Sequence, residues 1–291
     1  MKMKKLREYV LEAKRNQTAI GHFNISNIES LHAIFQAAKS LNVPVIIGVA
    51  EGERAWIGAK QAVALVKSLR EEYQYPIFIN ADHTYSLEKV KEAIDDGYDA
   101  VIFDGTQLPY DANVSAARQC VEYARQANPD IMVEAELGFI GTSSKVWEAI
   151  PEGVSITEEY LTKPEEALAF VQATGIDLLA PAVGNIHGML KGGKDPALNV
   201  ERVKAIADVV SVPLVLHGAS GNSDQDVAAA IKAGMAIVHV NTELRVAYRE
   251  ALEEGLAAKP DEVAPYKYMA GAESAVEAVV TAKLKVFNNL K

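Results

Sequence analysis

The sequence predicts an α/β fold, a (β/α)8 TIM barrel with one helix before it and an extra helix after it, and three observations carry that expectation. Short apolar runs alternate along the chain with amphipathic helical segments, the pattern of parallel strands joined by crossover helices. Eight such runs can be counted, the number that closes this barrel. Three histidines, His83, His187 and His217, each stand just past one of the runs, and they can act together only where a fold gathers its strand ends onto one face.

The elements follow in order. A helix over residues 5–13 opens the chain, then a strand at 19–24 leads to a helix at 28–40, and a strand at 44–49 to a helix at 56–72. The third strand, 77–81, is followed by a helix at 87–95, with Ser86 placed to cap its start and Gly97 suited to a left-handed residue after its end. The fourth strand, 100–104, leads to a helix at 111–126 that carries the one cysteine, Cys120. After the fifth strand, 131–136, the stretch from 137 to 162 is far longer than an ordinary βα junction, so it is either a lid or a surface decoration before the helix at 163–173. The sixth strand, 178–182, precedes a helix at 200–209. The seventh, 213–216, precedes one at 224–233, which Ser223 caps and Gly234 follows, and the eighth, 236–240, precedes one at 244–255. A helix at 272–288 closes the chain.

At 291 residues and 49% hydrophobic content the chain can bury a large core, and nothing in it reads as a linker, so residues 1–291 are expected to form a single domain. One cysteine cannot make an intrachain disulfide, and the basic amino terminus lacks the apolar stretch of a signal peptide, so a cytoplasmic protein with no membrane association is expected. A net charge of −10 argues against nucleic acid as a partner. It is compatible with a small anionic substrate, because backbone N–H groups and one or two lysines bind phosphate locally.

Three imidazoles with an open position make a catalytic zinc site. Asn80 and Asp82 share one face of the third strand, and an Asp beside a metal-binding His either orients a ligand or exchanges protons with substrate. Asp104, Glu134 and Glu136 end the fourth and fifth strands, where carboxylates are costly unless paired, so they are candidates for a second cation position or for anchoring histidines. The competing reading makes Asp104 a turn cap and Glu134 part of a buried polar network. Gly188, Lys191, Gly192 and Gly193 follow His187 in an arrangement suited to phosphate. So do the loops after the seventh strand, His217-Gly218-Ala219-Ser220-Gly221, and the eighth, Asn241-Thr242-Glu243. His22 and His32 receive no role.

Five motifs then carry a resemblance: Asn80-Ala81-Asp82-His83, Glu134-Ala135-Glu136-Leu137-Gly138, Gly184-Asn185-Ile186-His187-Gly188 with Lys191, Leu216-His217-Gly218-Ala219-Ser220-Gly221, and Val240-Asn241-Thr242-Glu243. Together, from about residue 19 to 245, they resemble the class II, zinc-dependent fructose-bisphosphate and tagatose-bisphosphate aldolases. The resemblance implies that His83, His187 and His217 bind catalytic Zn²⁺, that Asp82 is the acid/base, and that Asp104 and Glu136 match positions holding a second or displaced cation, divalent or monovalent. It also implies that Gly188, Lys191, Gly218, Ala219, Ser220, His239, Val240, Asn241 and Thr242 hold dihydroxyacetone phosphate, and that the protein is a homodimer or homotetramer. In the implied reaction Asp82 takes the C4 hydroxyl proton, the C3–C4 bond breaks, and zinc stabilises the enediolate.

Four positions depart from the family pattern. Gly141-Thr142-Ser143-Ser144 stands where relatives carry acidic residues after a Gly-Gly, with Glu148 or Glu152 as stand-ins. His239 replaces an asparagine that faces the intermediate, Ala50 replaces a frequent serine, and the segment 265–273 lacks the arginine with which relatives hold the distal phosphate. The departures fall on proton shuttling and on the acceptor aldehyde. The reading is therefore an aldolase cleaving a ketose 1,6-bisphosphate to dihydroxyacetone phosphate and an aldehyde. Its alternatives are an aldolase on a ketose 1-phosphate with a non-phosphorylated acceptor, a metal-dependent sugar-phosphate epimerase or isomerase, and a non-catalytic metabolite-binding scaffold.

Overall fold

The computed structural model describes residues 3–141, 144–150, 157–192 and 195–290. Its elements run α1 (Leu6–Asn16), β1 (Ile20–Asn24), α2 (Ile28–Leu41), β2 (Val45–Ala50), α3 (Glu51–Ile57), α4 (Ala59–Tyr73), β3 (Ile77–Thr84), α5 (Leu87–Asp96), β4 (Ala100–Phe103), α6 (Tyr110–Ala127) and β5 (Met132–Leu137). They continue with β6 (Val146–Trp147), α7 (Pro164–Thr174), β7 (Leu178–Pro181), β8 (Met189–Leu190), α8 (Val200–Val209), β9 (Leu214–Leu216), α9 (Asp224–Ala233), β10 (Met235–Val240), α10 (Thr242–Ala258), α11 (Pro265–Tyr268) and α12 (Ala270–Phe287).

Eight strands, β1, β2, β3, β4, β5, β7, β9 and β10, close into one parallel barrel, and β6 pairs with β8 outside it. Every barrel strand lies where the sequence places one. The register then fixes which side chains face inward, because successive residues of a strand point to opposite faces. Ile20, Ile46, Phe78, Met132, Leu178, Val215 and Ile237 meet inside the barrel, where Leu6, Val10 and Ala13 of α1 plug its amino-terminal end. Their outward neighbours, such as Val45, Ile47, Ile79, Val101, Val133 and Leu179, belong to the separate core under the helices. Two residues further along the inward rows stand His22, Asn80, Glu134, His217 and His239, and beyond them Asn24, Asp82 and Glu136, all buried. The open end of the barrel is therefore lined with polar groups, and the site can form only there.

One expected element differs, and β6, β8 and α11 are additional to those expected. The helix expected at 56–72 is two helices, α3 and α4, parted at Gly58. The first begins directly at the end of β2 because Glu53 turns back to accept the N–H of Ala50 at 2.8 Å. The helix that seals the seam beside β1 is α12, not the one that follows the last strand. Val276, Val280, Leu284 and Phe287 of α12 are fully buried, Phe287 stacks on Phe23 at 6.4 Å, and its carbonyl accepts the N–H of Ala19. Only Thr242 and Leu244 of α10 are buried, so α10 rides outside and the short α11 returns the chain to the barrel wall. Among the described residues no helix is long and apolar enough to cross a membrane.

Candidate active site

The site begins with a kink. His83 has φ of 37°, a left-handed conformation uncommon for any residue but glycine, and the register between β3 and β4 slips between Ala81 and Thr84. In a regular strand Asp82 and His83 would face opposite sides of the sheet. The kink brings both to the barrel mouth, with His83 Nε2 3.7 Å from Asp82 Oδ1. Arg54 of α3, itself buried, donates to the carbonyls of Val49 and Asp82 and to the hydroxyl of Thr84, and so ties β2 to the kinked end of β3.

The three strand-end histidines converge. Ring centroids of His83 lie 4.6 Å from His187 and 5.1 Å from His217, and those of His187 and His217 are 5.8 Å apart, all edge to face. With Glu136 they form a group whose ligand atoms lie within 4.8 Å of one another. Among the described residues, His187 Nε2 and His217 Nδ1 are buried without a hydrogen-bond partner, and Glu136 Oε1 lies 3.0 Å from His83 Nδ1 and 3.6 Å from His217 Nδ1. Two unpaired imidazole nitrogens beside a buried carboxylate are costly in a dry interior, and a cation there satisfies them, so these residues fit a metal ion.

A second layer orients the rings. Glu134 Oε1 accepts from His217 Nε2 at 2.6 Å, which leaves Nδ1 free as a ligand. Asp104 Oδ2 and Glu136 Oε1 lie 3.3 and 3.0 Å from His83 Nδ1, and Thr106 donates its N–H and hydroxyl to Asp104. The carbonyl of His187 accepts the indole N–H of Trp147, 3.0 Å away on β6.

Electrostatics divide the imidazoles. Burial, then the neighbouring His83 and His217, push the His187 pKa well below its ordinary value, so that ring is neutral and its lone pair available. For His217 burial works against protonation, yet Glu136 and Glu134 outweigh it and raise the pKa. Asp82 is likewise opposed by burial, but the charges of His83, His22 and His217 and the Asn24 hydrogen bond hold it below the usual carboxylate range. Asp82 is thus ionised at neutral pH. Its Oδ2 takes a hydrogen bond from Asn24 at 2.8 Å, whereas Oδ1 has no hydrogen-bond partner among the described residues.

Above the ligand cluster lies an inner cavity of about 20 Å³, room for one ion or water, lined by Asp82, His83, His187, Gly188, Gly218, Ser220, His239, Asn241 and Thr242 together with Asn24 and Ser144. It shares Asp82, His83, Ser144, His187 and Asn241 with an outer cavity of about 330 Å³, whose wall adds Ala50, Glu51, Gly52, Tyr85, Lys145 and Arg245. Ala219 and Val240 are buried behind this surface rather than on it. Lys191 departs from expectation: it lines neither cavity, and its exposed ammonium pairs with Glu148 at 2.8 Å, which also draws Glu148 away from the site. Lys191 directly follows β8, and its backbone N–H donates to the carbonyl of Trp147 on β6. Thr142, Ser143, Glu152 and Gly193 lie outside the described residues.

Sequence reasoning passed over Asn24, Glu53, Arg54 and Lys145. Asn24 ends the first strand, and the run Glu51-Gly52-Glu53-Arg54 follows the second, so strand-end position was a signal in both cases. Lys145 had none, because only the turn of the long connection brings it to the cavity wall.

A closed parallel barrel with a nitrogen and oxygen ligand set at its carboxyl end, beside an ionised aspartate, defines a metal-ligating barrel of the enzyme type. The model of the family described as fructose-bisphosphate aldolase class-II matches residues 4–291, and the chain belongs to that family. It is 37% identical over 292 residues to a fructose-bisphosphate aldolase of Geobacillus stearothermophilus, covering 99% of this chain and 98% of the relative. It is also 36% identical over 290 residues to one of Staphylococcus aureus, at the same coverage. Among solved structures, the YdjI aldolase of Escherichia coli K12 superposes with a TM-score of 0.79 at 30% identity, covering 98% of this chain and 96% of that one.

Proposed function

We propose that this protein is a zinc-dependent aldehyde-lyase that reversibly cleaves a ketose 1,6-bisphosphate into dihydroxyacetone phosphate and an aldehyde, acting as one domain over residues 1–291. The observation that carries the reading is Asp82 Oδ1, an unpartnered and ionised carboxylate oxygen at the junction of the two cavities, 3.7 Å from His83. His83, His187 and His217 would hold the zinc, with Glu136, or Glu136 and Asp104, serving a displaced or second cation. When bound, the metal supplies Lewis acidity toward the oxygens of the ketose.

The side chains do the rest. Asp82 accepts the C4 hydroxyl proton as the C3–C4 bond breaks, and returns it in condensation. The phosphate of the retained fragment is placed by backbone and hydroxyl donors around Gly188, Gly218, Ser220, Asn241 and Thr242, at the amino end of α10, where the helix dipole favours an anion. Asn24 fixes Asp82 by its second oxygen, so the free oxygen faces the substrate. The net charge of −10 argues against nucleic acid as a partner. A cytoplasmic location fits the single cysteine, and a homodimer or homotetramer fits the strong exposure of Trp56, Val263 and Tyr266.

One observation favours a second reading for the acceptor. Among the described residues the cations on the outer wall are Lys145 and Arg245, and Arg245 is bound to Glu53. A non-phosphorylated aldehyde, hence a ketose 1-phosphate, suits that wall better than a bisphosphate.

The test is to incubate zinc-loaded protein with dihydroxyacetone phosphate and a panel of phosphorylated and free aldehydes, with and without chelator. Chelator-sensitive C–C bond formation is expected, and the preferred aldehyde decides between the two substrates. Asp82→Ala should lower condensation by on the order of 10²–10⁴-fold with metal content unchanged. Epimerised sugar without condensation, or no reaction and no deuterium exchange at the ketose carbon, overturns the proposal.

A further inference from the structure

His22 of β1 and His239 of β10 are register partners, both facing into the barrel. Their rings lie face to face, centroids 3.5 Å apart and planes within 1°. The other face of His239 rests on His217 at 4.1 Å and 20°. All three are buried. His22 finds room because Gly48 of β2 lies against it: a Cβ there would stand 2.1 Å from His22 Cε1. His22 does not line the inner cavity, whereas His239 does.

A ring clamped on both faces cannot change rotamer without displacing a neighbour in a close-packed interior. What remains free is its edge, and His239 Nδ1 lies 3.7 Å from Asp82 Oδ1. That gap is too wide for a direct hydrogen bond, but one oxygen can sit ~2.8 Å from each atom. The tautomer follows from burial. Among the described residues His239 Nε2 has no partner, and an orphaned lone pair is cheaper than an orphaned N–H, while Nδ1 faces the Asp82 carboxylate, so the proton belongs on Nδ1.

We propose that His239 Nδ1–H and Asp82 Oδ1 together hold the one oxygen that is a hydroxyl in the ketose and the carbonyl oxygen of the acceptor aldehyde, and that His22 is the positioning residue that aims His239 by stacking on it. This rests on the aldolase reading. In condensation the new C–C bond forms at the aldehyde carbon, the carbonyl π pair moves onto oxygen, and that oxygen takes the proton of the Asp82 carboxyl group. His239 donates a hydrogen bond throughout and keeps its proton. In cleavage the hydroxyl proton returns to Asp82, and the pair of the broken bond stays with the ketone fragment.

Ligand atoms of His22, Asp82 and His239 also lie within 4.8 Å of one another. The parallel rings argue against a shared ion, since their lone pairs run side by side in planes 3.5 Å apart and do not converge.

Condensation by the unaltered enzyme is measured first, and its absence overturns the aldolase reading itself. Given activity, His239→Ala should lower kcat by on the order of 10²-fold, as for loss of one aimed donor. His22→Asn, which removes the stacking face, should lower kcat about tenfold with KM for dihydroxyacetone phosphate and metal per chain unchanged, and His22→Phe should recover most of it. In a His239→Asn background, where the donor is an amide without a ring, His22→Asn should add nothing. An undiminished kcat in His22→Asn, full additivity in the double variant, or loss of bound metal would overturn the proposal. Independently of any variant, ¹⁵N NMR of the unaltered protein should find His239 protonated on Nδ1, and an Nε2–H tautomer would refute it.

Discussion

At the residue scale the site depends on carboxylates that point imidazoles rather than on the imidazoles alone. Glu134 is fully buried, and burial raises its pKa even though His217 pulls against it. Its energetic return is the 2.6 Å hydrogen bond that fixes the His217 ring. Glu134→Gln should therefore weaken metal affinity about 10–100-fold, read by competition with a chromophoric chelator, while His22→Asn leaves that affinity unchanged. Cys120 shows the opposite case, a thiol shut away from the site and from solvent. It is buried among the α6 contacts, and burial pushes its thiol up to about 12. Native protein at pH 8 should resist a thiol reagent that modifies the unfolded chain stoichiometrically.

At the element scale two short features place the chemistry. The β6–β8 clip carries Trp147 to the carbonyl of His187, and Met189 and Lys191 donate backbone hydrogen bonds to Lys145 and Trp147. Trp147→Phe removes the indole donor and leaves that carbonyl unpaired, so a loss of about 1 kcal/mol is expected in urea unfolding, together with weaker metal binding at His187. Gly218 follows the end of β9 with φ of 60°, and a Cβ there would meet the carbonyl oxygen of Ile186 at 2.1 Å. Neither the angle nor the backbone neighbour can yield cheaply, so Gly218→Ala should cost roughly 3 kcal/mol or more and disturb both His187 and His217. Wild-type stability and metal content in that variant would refute the argument.

At the scale of the whole molecule, a barrel plugged by α1 at one end and polar at the other concentrates its ionisable groups in one place. The consequence is acid sensitivity. Burial pushes the His22 pKa from 6.5 down to about 4, so between those pH values the unfolded chain binds a proton that the native chain refuses. Stability should fall as pH drops from about 6.5 to 4, by on the order of 3 kcal/mol from this residue, with no contribution from it above that window. Urea titrations at pH 7 and 4.5 check this, and His22→Asn should flatten the slope.

The eight strands, the alternation with helices and the three strand-end histidines with Asp82 are determined by the chain itself, because apolar periodicity is local and each histidine adjoins the strand it follows. The same holds for the loops after β9 and β10, whose glycines and polar residues lie in unbroken motifs. The tertiary structure alone decided the rest. The kink at His83, Glu134 as the partner of His217, Asn24 as the holder of Asp82, and the stack of His22 on His239 join residues far apart in sequence, through a register that no single strand specifies. The ion pair of Lys191 with Glu148 was not legible for the same reason: it lies beside the pairing of two dipeptides, Val146–Trp147 and Met189–Leu190, too short to leave a periodic signal. Local sequence set what each element is, and closure of the barrel set which side chains meet, since only a closed ring brings the inward rows of first and last strands face to face.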